Sequence, residues 1–155
     1  NIDATDLQTM RRYLFIVPLF ALLTTLTSFG FIAVVLISQM GQDSFFSASQ
    51  LHAVIAISSV ATLCSLGLLA VVVSELIGKR FNTSVYRVAN KFIAPIGLIF
   101  ISLAVVSLFL VPTDFYEDFL LKFTHSARFE FLLLGVSAFI LIAIRRFVNA
   151  SAQKT

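Results

Sequence analysis

Four long apolar stretches, with basic residues gathered on one side of them and acidic residues on the other, constrain this chain more than any other feature. Charge-free runs extend from Tyr13 to Gln42, from Ser44 to Ser74 and from Phe92 to Thr113. Each exceeds the roughly 20 residues that a helix needs to cross a hydrocarbon core of about 30 Å. A fourth run, Phe131 to Ile144, is only 14 residues long, about 21 Å at a rise of roughly 1.5 Å per residue. Extension from Ser126 to Val148 restores a full span. Arg145 and Arg146 then snorkel to one interface, and Glu130 sits about one turn inside the other. Only 12% of the residues are charged and 59% are hydrophobic, far from the roughly 25% charged of a soluble domain.

The expected fold is therefore an all-α integral membrane protein. Four transmembrane helices form an up-and-down bundle, a single domain over 1–155 with spans at about 13–40, 49–77, 91–111 and 126–148. The first run is too long for a signal-peptide core and feeds a second span, so it reads as a retained helix. Asn1 to Arg12 suits a short interfacial helix leading into the first span, acidic early and basic late. A second interfacial helix is expected between the third and fourth spans, where Phe115, Phe119 and Phe123 recur every fourth residue and share one face. Gly78 is placed to end helix two and Lys79 to Asn90 to form a short basic loop. Pro18 falls near the start of helix one, Pro95 in the first turn of helix three and Pro112 just past its end.

Four spans put both termini and the loop between helices two and three on one side. That side carries Arg11, Arg12, Lys79, Arg80, Arg87, Lys91, Arg145, Arg146 and Lys154 out of 11 basic residues; Lys122 and Arg128 fall opposite, with Asp43, Asp114, Glu117, Asp118 and Glu130. The positive-inside rule then places the termini in the cytoplasm, and a bacterial inner membrane is the expected location. The basic rim faces anionic headgroups, so the net charge of +3 is no signal for nucleic acid. The chain has no tryptophan, which leaves Phe and Tyr as interfacial anchors.

Within lipid, helices associate through small residues and hydroxyls. Thr24, Thr25, Thr27, Ser28 and Gly30 on helix one, and Ser58, Ala61, Thr62 and Ser65 on helix two, make plausible inward seams. Ala94, Gly97 and Ala104 on helix three, and Gly135 and Ala138 on helix four, complete the set. The same hydroxyls could line a substrate path, but bonding to their own i−4 carbonyls favours packing. Glu75, at the inner end of helix two, is expected to pair with the basic rim beside Lys79 and Arg80.

An outer-leaflet polar cluster of His52, Arg128 and Glu130 is the candidate site, with His125 beside it. Glu130 should face the bundle or this rim rather than lipid, near His52 or Arg128. Two histidines on parallel helices could ligate a b-type haem, and His52, His125 or Glu130 could contact a quinone. The lone Cys64 lies in mid-span and reads as a packing residue. No paired-cysteine motif, metal-binding histidine helix, phosphate loop or serine elbow is present, and no span carries a central carboxylate. No catalytic or metal site is expected. A chain with nearly all its mass in lipid and no complete active site suits a non-catalytic accessory or partner-binding subunit of a larger membrane complex. The other membrane proteins of that complex are its expected partners. A redox subunit holding haem or quinone, or an immunity protein against a pore-former, are the alternatives.

Overall fold

The computed structural model describes residues 4–38, 48–77, 83–109 and 119–154. Five helices follow in order: α1 (Ala4–Ser38), α2 (Ala48–Ile77), α3 (Thr83–Phe109), α4 (Phe119–Ser126) and α5 (Arg128–Lys154). Four are long and apolar enough to cross a membrane, over Thr9–Ser38, Leu51–Ile77, Ser84–Phe109 and Arg128–Ala150. The protein is thus a four-helix transmembrane bundle. Round it, α1 packs on α2 and α5, and α3 on α5 and α2, while α2 and α5 meet across the diagonal only slightly. Consecutive spans alternate in direction, so the start of α1 and the end of α5 share what is called here the terminal end.

Boundaries differ from the sequence expectation in three places. The helix expected ahead of the first span is continuous with it, because α1 runs unbroken through Arg11 and Arg12. Helix three begins at Thr83 rather than Lys91, so most of the expected basic loop is helical. The extra turns bury Ala89 and bring Tyr86 and Asn90 against Arg145, which is reason enough for them to stay wound. Pro95 consequently lies in the helix interior instead of its first turn, where it leaves the Lys91 carbonyl without its usual donor. The short fourth run gains its length as anticipated: Ala127 N donates to Phe123 O and Phe131 N to Ala127 O, each at 2.9 Å, so α4 leads almost directly into α5. Gly78, Lys79, Arg80, Asp43, Pro112, Asp114, Phe115, Glu117 and Asp118 lie outside the described residues.

The core is sorted along the bundle axis. Phe131 stacks between Phe29 and Phe100, with ring centroids 5.3 and 6.0 Å away, and Phe123 of α4 meets it edge-on at 6.2 Å. These four rings, all buried, lie in the half of the core away from the terminal end. Nearer the middle, buried Thr25 and Ser65 join α1 to α2 through a 3.0 Å hydroxyl pair. The α3–α5 seam is the tightest. A Cβ on Gly135 would fall 2.9 Å from the Ile101 backbone nitrogen and 3.1 Å from the Gly97 carbonyl oxygen, so this crossing tolerates nothing larger than glycine.

Candidate functional site

The polar residues of the bundle separate into two ends, and the terminal end is where they converge. Arg11 from α1, Glu75 from α2, Tyr86 and Asn90 from α3, and Arg145 from α5 line one cleft of about 280 Å³, together with Phe15, Val148 and Asn149. Glu75 is its hub. Its Oε2 forms an ion pair with Arg11, and its Oε1 accepts from Arg145 Nη2 at 3.0 Å. The Tyr86 hydroxyl lies 3.5 Å from the same Oε1 and accepts from Arg145 Nη2 at 3.0 Å. Arg145 Nη1 donates to the Asn90 side-chain oxygen, and the Arg145 guanidinium also lies over the Tyr86 ring, 6.0 Å from its centre.

Every spanning helix contributes to this clasp, and its geometry follows from local sequence. Tyr86 and Asn90 are one turn apart on α3 and therefore share a face. Glu75 follows Val71 and Val72, both buried, so α2 presents it to the bundle rather than to lipid. Among the described residues, Arg11 Nε is shut from solvent and has no hydrogen-bond partner. Arg12, Arg87, Lys91 and Arg146 are exposed and complete the basic rim without entering the cleft; the side chain of Lys154 lies outside the described residues.

The sequence places Glu75 at the basic rim beside Lys79 and Arg80, both of which lie outside the described residues. It does not single out Tyr86 or Asn90, whose segment reads as loop. The available signal was the Tyr86 to Asn90 spacing, which fits a helix face as well as a turn.

At the opposite end the expected cluster is not joined: among the described residues, no hydrogen bond or ion pair connects His52, Arg128 and Glu130. His52 is exposed on α2. Arg128 Nη1 turns back to the His125 carbonyl at 2.7 Å, and its guanidinium lies 4.6 Å from the centre of the Phe129 ring. His125 Nδ1 sits 3.4 Å from the Ser107 carbonyl oxygen. Glu130 is half-buried, with Oε2 sealed from solvent and without a partner among the described residues. Arg128 is engaged instead by the α4 carbonyl of His125 and the neighbouring Phe129 ring.

The hydroxyls behave as packing groups. Thr24, Thr27, Thr62, Ser74, Ser102, Ser107 and Ser137 each donate to a carbonyl four residues earlier. Farther from the terminal end than the Thr25–Ser65 pair lie the four buried phenylalanine rings. Outside the core, α2 and α3 leave an apolar groove of about 560 Å³ at membrane depth, lined by residues that include Leu63, Cys64, Gly67, Val88, Ala89 and Phe92. The chain matches no protein family model, no curated protein and no solved structure.

Proposed function

We propose that this protein is a non-catalytic integral membrane subunit that binds another membrane protein, in a bacterial inner membrane with both termini cytoplasmic. The α2–α3 groove carries the reading. Lipid supplies little hydrophobic drive between helices, so helix partners associate where small residues let backbones approach and larger side chains interlock. The groove has that make-up, with Cys64, Gly67 and Ala89 along it and Leu63, Val88 and Phe92 standing exposed at its walls. Its occupant is a transmembrane helix of the partner. Four buried phenylalanine rings in the core, with many of the hydroxyls bonded to carbonyls of their own helices, support a scaffold rather than a conduit.

Extraction in a mild detergent followed by size analysis tests this. The expected species is well above the 17.1 kDa of the chain and contains a second protein. Val88→Trp, which fills the groove, should release that protein, whereas Val34→Trp on the exposed face of α1 should not. A lone chain, or a species made only of copies of this chain, would refute the reading.

A further inference from the structure

We infer that the clasp at the terminal end is a binding site for a phosphate group, held between Arg11, Arg145 and Asn149. The charge balance is the first reason. Two guanidiniums and one carboxylate leave +2 − 1 = +1 in a cleft whose arginine side chains are only 37% and 22% exposed. An excess cation at the edge of a hydrocarbon layer calls for a counter-charge.

The donors are the second reason. The carboxylate of Glu75 is already shared by both arginines, so it does not also answer Arg11 Nε, which has no partner among the described residues; because that atom is closed to solvent, a phosphate engages it only as the Arg11 side chain turns into the cleft. A guanidinium presents its N–H groups as a planar fork that matches the oxygens of a phosphate. The Asn149 amide, which lines the same cleft, adds a neutral donor.

Room and position complete the case. The cleft of about 280 Å³ far exceeds the share of a single water, about 30 Å³. Two of its lining residues, Arg11 and Asn149, lie within two residues of the span limits Thr9 and Ala150, the level at which a bilayer's headgroup phosphates are expected. Basic pockets between helices at this depth favour anionic headgroups. A phosphate ion from the aqueous phase offers the same chemistry.

The test uses the full chain purified in a neutral maltoside detergent. Dioleoylphosphatidylglycerol and dioleoylphosphatidylcholine are titrated separately and read by native mass spectrometry. A parallel thermal melt compares sodium phosphate with sodium chloride at equal ionic strength. The anionic lipid should bind about five- to tenfold more tightly than the zwitterionic one. Arg11→Lys keeps the charge facing Glu75 but removes the Nε donor, and Asn149→Ala leaves both ion pairs untouched; each should bring the preference below about twofold. Arg12→Gln, outside the cleft, should preserve it. Phosphate-dependent stabilisation that both cleft variants abolish, without any lipid preference, assigns the same site to free phosphate. If Arg11→Lys does not fold, Asn149→Ala decides alone. Absence of both responses, or responses that survive the cleft substitutions, would overturn the site.

Discussion

Glu75 and Glu130 are the same side chain at opposite ends of the bundle, and their surroundings assign them opposite energetic signs. Glu75 holds two guanidiniums, so Glu75→Gln breaks a mostly enclosed ion-pair triad while retaining its shape. Breaking such a pair costs about 3–5 kcal/mol when fully buried. With Arg11 more than a third exposed, solvent screening reduces this to about 1–3 kcal/mol. Glu130 has a sealed oxygen without a partner among the described residues, so Glu130→Gln should leave stability unchanged or raise it by up to about 1 kcal/mol. Thermal midpoints in one detergent check the pair, and the reverse order would contradict both assignments. The sequence showed that Glu75 belongs to a basic rim, since charge and helix end are local properties. It could not show which arginines, because Arg11 and Arg145 lie 64 and 70 positions away and helix rotation decides who faces whom. For Glu130 likewise, the sequence names His52 and Arg128 as neighbours, but among the described residues neither is bonded to it.

Between elements, the decisive dimension is how closely two backbones approach. Gly135 on α5 faces Ile101 and Gly97 of α3, and an added methyl would crowd the Ile101 side chain and, at 2.9 Å, its backbone nitrogen, which cannot swing aside. Gly135→Ala should therefore force α3 and α5 apart at a cost of about 1–3 kcal/mol. Gly30→Ala meets only the Thr62 methyl at 3.9 Å, an ordinary contact, and should be tolerated within about 1 kcal/mol. Unfolding of the two variants under identical conditions checks this; equal midpoints would count against the tight crossing. That these helices carried small-residue seams was legible from composition. Gly97, Ala104, Gly135 and Ala138 are indeed buried, yet Ala94, Thr24 and Thr27 of the same sets are exposed, because a helix rich in apolar residues all round shows no face by periodicity. The start of α3 was missed for a related reason: Arg87 and Lys91 read as loop, although a helix leaving the membrane can carry them on its exposed side.

At the scale of the molecule, the four spans were legible because lipid demands length and apolarity over about 20 residues, and both are written locally. Their threading follows from charge and is open to labelling. In a Cys64→Ala background, a cysteine at Ser84 should react with reagents confined to the cytoplasm, and one at Glu117 with reagents outside. The opposite pattern would reverse the orientation. The order of helices round the bundle was not legible, since it depends on pairings between distant segments. The clasp ties that order to the ribosome's clock. Synthesis proceeds from Arg11 toward Arg145, so Glu75 can meet its first arginine once α2 has entered the membrane, but its second arrives only with the final span. Until then Glu75 faces one of the two guanidiniums that it holds in the finished bundle, and Asn90 waits for the guanidinium that the last span brings.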